Sequence, residues 1–160
     1  MQRVAKAAAW VGAVGFVTFL ILNTQILRVE GDSMAPTIRG GDFIAVCDLC
    51  PARPGDIVVV HFVSQDWREY FVKRLVATSD QTVYIRNGVV YINGTPEAFG
   101  PAVTWTKRTS FSLGGQPARV PRGWAFVLGD NRNESRDSRE LGFAKVVGRV
   151  VVVFSLAYRR

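Results

Sequence analysis

Histidine is nearly absent from this chain of 160 residues, and His61 is the only one. Cysteine is equally scarce, with Cys47 and Cys50 alone. A structural zinc site takes four Cys, His or carboxylate ligands, so these three residues do not complete one, and we expect no metal and no organic cofactor. His61 lies in a valine-rich segment, where a hydrogen-bonded structural role is commoner than catalysis.

The two cysteines stand in Cys47-Asp48-Leu49-Cys50. This spacing occurs in redox motifs and half zinc sites, but the strand-then-helix setting of a thioredoxin motif is missing here. In an extracytoplasmic domain, a local disulfide that ties a loop is favoured over catalysis. The reduced and the oxidised states both stay open at this point, because closing so short a ring is geometrically demanding.

Acidic residues are few: 13 Asp and Glu stand against 20 Lys and Arg, a formal charge of +7. The basic residues are scattered, without a basic helical stripe or a zinc-finger or basic-zipper pattern, so we expect no nucleic acid as a partner. Attraction to the anionic head groups of membrane lipids fits this charge better.

No charged side chain occurs from residue 7 to residue 27, and a helix of about 20 such residues spans a bilayer. Arg3 and Lys6 precede the stretch, which predicts a cytoplasmic tail at 1–6, a transmembrane anchor at 7–27 and an extracytoplasmic domain at 28–160. The end of the stretch offers no small-x-small cleavage site, which favours a retained anchor over a removable leader.

Beyond the anchor, short runs rich in Val, Ile and aromatic residues alternate with Gly, Pro and Asp turns, which predicts an all-β domain. Asn87-Gly88 between two alternating apolar runs is a strong hairpin signal. A loop-rich insertion is expected at about 78–123. We predict strands in these segments: 43–46, 57–62, 70–76, 82–85, 89–92, 124–128 and 148–154.

Three segments could carry chemistry. Ser33 lies in a Gly- and Pro-containing turn that could display its hydroxyl and leave backbone N–H groups free for an oxyanion. By strand alternation Lys73 shares an apolar face with Phe71, where desolvation lowers a lysine pKa and allows it to act as a base. The polar stretch 129–139 could form a hydrogen-bonded cage. Taken singly, each has a plainer explanation: a structural turn serine, a lysine that snorkels from a strand edge, and surface salt bridges.

Together, in this order behind an apolar segment, they resemble the type I signal peptidase family, in its bacterial, Gram-positive-like branch. Each motif alone is weak, but four in order are highly specific. The resemblance covers nearly all of the chain from the anchor to Arg149 and rests on Gly31-Asp32-Ser33-Met34-Ala35-Pro36-Thr37, Arg53-Pro54-Gly55-Asp56, Lys73-Arg74-Leu75-Val76-Ala77 and Gly129-Asp130-Asn131-Arg132 through Ser135 and Asp137-Ser138-Arg139.

The resemblance implies a role for each matching residue. Ser33 would be the nucleophile, Lys73 the general base, and Ser135 the residue that positions the lysine ammonium. Some members carry a serine that donates a second hydrogen bond to the oxyanion where this chain has Gly31. The site-supporting residues would be Asp137 and Arg139, and the substrate-binding residues would be Val29, Val72 and Met34.

The resemblance also implies an activity: a membrane-bound serine endopeptidase that removes signal peptides from exported preproteins, cutting after Ala-x-Ala-like sequences. Its location would be the plasma membrane, with preproteins arriving from the secretion translocon. Two other classes compete. A self-cleaving repressor-type peptidase would share the Ser/Lys pair but carry a DNA-binding domain, and a membrane-tethered, non-catalytic β-rich binding module would need neither residue.

Overall fold

The structure, a computed structural model, describes residues 10, 15, 18, 23–63, 69–97 and 116–155. Residues 10, 15 and 18 are helical. The described residues from 23 onward form ten strands and one short helix, so the predicted mostly β fold is confirmed. The elements are β1 (Thr24–Arg28), β2 (Phe43–Cys47), β3 (Ile57–His61), β4 (Tyr70–Thr78), β5 (Thr82–Arg86), β6 (Val89–Ile92), β7 (Thr95–Pro96), β8 (Ala118–Arg119), β9 (Ala125–Leu128), α1 (Ser138–Leu141) and β10 (Lys145–Phe154).

Six strands form the larger sheet, in the order β1-β2-β10-β3-β4-β9, and every pair in it is antiparallel. The last strand of the chain lies in the middle, because β10 pairs with β2 through one half and with β3 through the other. The register places Lys73 opposite Val58. Strand β9 pairs with β4 only from Arg74 onward, so no strand in the described part of the chain covers the second edge of residues 70–73.

The smaller sheet has the order β7-β6-β5-β8. Its centre is the predicted hairpin, in which Asn87 and Gly88 both take positive φ angles, of 51° and 79°, as a tight two-residue hairpin turn requires. This sheet lies within the predicted loop-rich insertion: β5 and β6 match the strands predicted at 82–85 and 89–92, whereas the short strands β7 and β8 were not predicted. Residues 98–115 lie outside the described part.

The apolar side chains form three buried clusters. The first joins the two sheets and includes Phe126 of the larger sheet and Val83 of the smaller one. The second includes Val60 and Leu75 of the larger sheet. The third, which we call the cleft-floor cluster, packs under the segment that follows β1; its members are Val29, Met34, Ile38, Ile44, Val46 and Val59.

The predicted anchor lies mainly outside the described residues. Its last part is described, and there β1 begins at Thr24 and pairs with β2 along its whole length. Residues 24–27 are therefore strand, which corrects the predicted end of the anchor at residue 27. Among the described residues, no helix has the length and apolar character needed to span a bilayer.

A buried ion pair ties β4 to the loop after β9. The Arg74 guanidinium donates two hydrogen bonds to the Asp130 carboxylate, at 2.7 and 2.6 Å, and a third to the carbonyl of Gly55 at 2.7 Å. Thr37 donates to the same carboxylate at 2.6 Å. Two separate segments thus converge on one fully buried aspartate, and Arg74 links it to the carbonyl of Gly55. This network holds the loops around β4 together.

Replacing Asp130 with Asn should therefore destabilise the protein by about 3 kcal/mol, because it leaves the buried Arg74 charge uncompensated. Urea unfolding followed by circular dichroism would measure this. Asp80→Asn is the matched control: Asp80 pairs with Arg119 and Arg122 at the surface, where a lost ion pair costs at most about 1 kcal/mol. Equal losses in the two variants would contradict the structural role given to Asp130.

Candidate active site

Ser33 lies in a closed turn that follows β1. Gly31 takes a φ of +75°, a left-handed conformation that glycine adopts without steric cost. The Asp32 carboxylate accepts the backbone N–H of Gly40 at 3.0 Å, and Gly41 N–H donates to the carbonyl of Val29 at 2.9 Å. These bonds close the loop around the serine, which is half-buried.

The polar loop after β9 holds the backbone of the serine turn. Asn131 donates its backbone N–H to the carbonyl of Ser33 at 3.0 Å and its side-chain amide to the carbonyl of Asp32 at 3.1 Å. Among the described residues, no acceptor is recorded for the N–H of Ser33 itself. That donor therefore remains available to an incoming carbonyl oxygen. The sequence pattern did not single out Asn131 for this contact.

Lys73 enters the site from the middle of β4. Its side chain is only 2% exposed, and its Nζ donates a hydrogen bond of 2.6 Å to Ser33 Oγ. The same Nζ lies 5.4 Å from the centre of the Phe71 ring, which agrees with the shared face predicted from strand alternation. The charges of Asp137 and Arg139 act on this ammonium electrostatically.

Burial lowers the pKa of Lys73 from 10.5 to about 8. Desolvation is the largest cause; the negative charge of Asp137 raises the pKa and the positive charge of Arg139 lowers it. A lysine with this pKa is uncharged in about one molecule in ten at pH 7, against fewer than about one in a thousand for a solvated lysine. The arrangement can therefore supply a neutral amine in contact with a serine hydroxyl.

Asp137 and Arg139 form one rigid unit behind the lysine. The Asp137 carboxylate is fully buried and accepts hydrogen bonds from the Arg139 guanidinium at 2.7 and 2.8 Å. It also accepts the backbone N–H of Gly129 at 3.0 Å and caps the start of α1. The supporting role of both residues stays a prediction from the family resemblance; the structure places them together in one buried ion pair.

Ser135 is placed differently from our expectation. Its Oγ is buried and forms no hydrogen bond with any described residue, so the predicted bond to the Lys73 ammonium is not made in this structure. It packs against Gly129, whose other neighbour is the carbonyl of Ser33. Ser135 is thus separated from the turn that holds Ser33 by Gly129.

A cleft of about 560 Å³ opens beside the Ser33–Lys73 contact. Val29 and Val72 line it as predicted. Met34 does not line the cleft, because it is 1% exposed and packs in the cleft-floor cluster. We predicted that it contacts substrate; the structure instead places it beneath the cleft. Lining residues that the sequence did not reveal include Ile44, Val46, Val59, Gln25 and Asp48.

His61 and the cysteines take no part in the serine–lysine contact. The His61 ring packs against Tyr70, with ring centres 5.8 Å apart. Cys47 and Cys50 are joined in a disulfide, one of the two states that the sequence left open. Among the described residues, no group of three or more potential metal ligands comes together.

Comparison with known proteins agrees with this geometry. The family model described as "Signal peptidase, peptidase S26" matches residues 1–155. A probable signal peptidase I-1 of Synechocystis is 35% identical over 91% of this chain and 80% of its own length. Signal peptidase I T of Bacillus subtilis is 34% identical over 79% of this chain and 71% of its own length.

A solved structure supports the same assignment. The crystal structure of a signal peptidase I from Enterococcus faecalis matches with a TM-score of 0.51 and 31% identity, over 64% of this chain and 98% of that one. With the fold and the buried serine–lysine pair, these matches define a serine protease. The chain belongs to the signal peptidase family, peptidase S26.

Burial of Lys73 predicts a specific pH dependence of stability. The folded pKa of about 8 lies below the unfolded value of 10.5, so between these values the unfolded chain binds more protons and unfolding becomes harder as pH rises. Lys73→Met removes this contribution. The difference in unfolding free energy, Lys73→Met minus the unaltered protein, should fall by about 3 kcal/mol between pH 7.5 and 10.5, measured by urea unfolding. A constant difference would show that Lys73 is not desolvated.

Gly129 predicts a steric constraint. A Cβ there would overlap Ser135 Oγ and the carbonyl oxygen of Ser33. Gly129→Ala should therefore destabilise the protein by about 1–3 kcal/mol and displace Ser33. Gly40→Ala, in the turn that holds Ser33, would meet its nearest atom at 3.4 Å and should change little. Thermal unfolding and labelling of Ser33 by a serine-directed reagent would compare them; equal labelling of both variants would contradict the close packing at Gly129.

Proposed function

We propose that Ser33 and Lys73 form the catalytic dyad of a type I signal peptidase, which removes N-terminal signal peptides from exported preproteins. The observation that carries this proposal is the 2.6 Å contact between Lys73 Nζ and Ser33 Oγ, made by a lysine whose burial lowers its pKa to about 8. A serine needs a base to become a nucleophile, and this lysine supplies one at a pH near neutrality.

The acylation half of the reaction uses these two side chains. Neutral Lys73 takes the proton from Ser33 Oγ as the oxygen bonds to the scissile carbonyl carbon. The carbonyl oxygen gains negative charge and accepts the free N–H of Ser33, a type of contact that stabilises the transition state. The C–N bond then breaks, Lys73 returns its proton to the leaving amine, and the signal peptide remains as an ester on Ser33.

Deacylation repeats the same proton movements with water. Lys73 takes a proton from a water molecule, and the resulting hydroxide adds to the ester carbon. The C–O bond to Ser33 breaks, and the lysine gives its proton to the serine oxygen. Asp137 and Arg139 assist as positioning residues: they neutralise each other, so the buried carboxylate does not hold the lysine strongly in its charged form.

The shape of the cleft favours small residues before the cut. Val29 and Val72 wall the part nearest to Ser33, above the apolar floor of Ile44 and Val59. The free edges of β1 and of residues 70–73 can pair with an extended peptide between them. Shallow apolar walls admit alanine and exclude bulky or charged side chains, which supports cleavage after Ala-x-Ala-like sequences.

The apolar stretch that ends before β1 would hold this cleft beside the plasma membrane, with the N-terminus in the cytoplasm and the catalytic domain outside. Preproteins emerging from the translocon would then be cut near the bilayer, where the apolar core of the signal peptide already lies. The high local concentration of tethered partners raises their encounter rate. The positive charge of the chain suits a surface of anionic lipids.

The test is cleavage of a preprotein with an Ala-x-Ala site by the full chain in detergent and lipid. The unaltered protein should cleave it, whereas Ser33→Ala and Lys73→Ala should lose activity by at least about 1,000-fold, since the members of such a unit act together. The rate constant kcat/KM should rise about tenfold per pH unit below pH 8 and level off above it.

Two outcomes would contradict the proposal. Activity that persists in Lys73→Ala would exclude the lysine as base and direct attention to His61. Absence of cleavage by the folded, unaltered protein would favour a non-catalytic binding module. His61→Ala serves as a control, because His61 packs against Tyr70 and should leave the pH profile unchanged.

A further inference from the structure

The cleft continues well beyond the residues that surround Ser33. Gln25, Leu27 and Val29 all line it, and they are alternate residues of the β1 segment, whose side chains point the same way. At about 3.3 Å per residue, Gln25 lies about 13 Å from Val29. The cleft is therefore long enough for several residues of an extended peptide.

Its far end is polar, in contrast to its apolar floor. Asp48 lines the cleft there, is exposed to solvent, and accepts a hydrogen bond of 3.0 Å from the side-chain amide of Gln25. Among the described residues, Gln25 is the one donor to this carboxylate. A carboxylate has about four acceptor positions, so room remains for a cation. Lys73 and Glu30 lie at the opposite end, near Ser33.

Asp48 is held in place by covalent and backbone contacts. It sits inside the ring closed by the Cys47–Cys50 disulfide, and its N–H donates to the carbonyl of Asn23 at 3.2 Å. Gly148 of β10 lies directly beneath: a Cβ there would come within 3.0 Å of Asp48 Oδ1. The carboxylate is thus presented at a defined position, which a free loop would not achieve.

Strand alternation predicts which substrate residue reaches it. If the first and third residues before the cut face Val29 and Leu27, the fifth faces Gln25 and the adjoining Asp48. The second and fourth residues point away from this wall. The same geometry that demands small side chains near Ser33 therefore brings one longer side chain to a carboxylate.

We propose that Asp48, supported by Gln25 and fixed by the Cys47–Cys50 ring, is a specificity subsite for a Lys or Arg side chain at the fifth residue before the cut. This inference rests on the proposed function, because it assumes that a peptide is cleaved at Ser33. It gives the Cys-Asp-Leu-Cys motif a role in substrate selection without any redox chemistry.

Synthetic peptides that differ only at the fifth or the fourth residue before an Ala-x-Ala cut would test it, with the full chain in detergent and lipid. With the unaltered protein at low salt, kcat/KM should be about fivefold higher for Lys than for Glu at the fifth residue, the scale of an exposed ion pair. The same exchange at the fourth residue should change kcat/KM less than about twofold. The preference should shrink in 0.5 M salt.

Two variants of equal charge change separate the subsite from general electrostatics. Asp48→Asn should abolish the preference at the fifth residue, whereas Asp80→Asn, which alters an exposed acid in the turn between β4 and β5, should retain it. Asp80→Asn should also cleave the peptide with Ala at that position as the unaltered protein does, and the effect of Asp48→Asn is measured as its ratio of kcat/KM for Lys over Glu.

The possible results are distinguishable. Cleavage of every peptide with no preference at the fifth residue, or a preference that survives in Asp48→Asn, would overturn the subsite and leave the proposed function intact. Cleavage of no peptide by the unaltered protein would overturn both.

Discussion

The burial of one lysine against one serine is the constraint on which the rest of the structure depends. Desolvation of the charged Lys73 side chain is unfavourable. The lysine stays buried because β4 pairs with β3 on one side and, from Arg74, with β9 on the other. Its partner Ser33 is equally constrained, since Asn131 and Gly129 contact its backbone from the loop after β9. A shift of either element would separate Nζ from Oγ.

Lys73 and Arg74 occupy adjacent positions of β4, but their side chains lie in different environments. Arg74 points to the opposite face from Lys73, where the Asp130 carboxylate neutralises it through two hydrogen bonds. Lys73 faces an aromatic ring and a hydroxyl, and the carboxylate whose charge acts on it, that of Asp137, is already paired with Arg139. Arg74 therefore stays charged and contributes to stability, whereas the lowered pKa of Lys73 allows it to lose its proton.

The larger sheet joins this chemistry to recognition. Strand β1 ends just before the serine turn and begins next to the disulfide at the end of β2, so one short edge strand spans the cleft from its reactive end to its polar end. The apolar floor comes from β2 and β3. Proposed selection of substrates and the proposed chemistry therefore depend on the same register, and the central position of β10 holds that register in place.

The sequence by itself determined the β class, most strand positions, the Asn87-Gly88 hairpin, the family and the residues Ser33 and Lys73, because alternation, turn residues and short motifs are local properties of the chain. Only the tertiary structure decided that Lys73 is desolvated, that Met34 lies beneath the cleft, that Ser135 makes no bond to the lysine and that Asp48 reaches the far end. These are contacts between segments distant in the chain, and the pairing of strands brings them together. Burial and contact distance depend on that pairing, which no local pattern specifies.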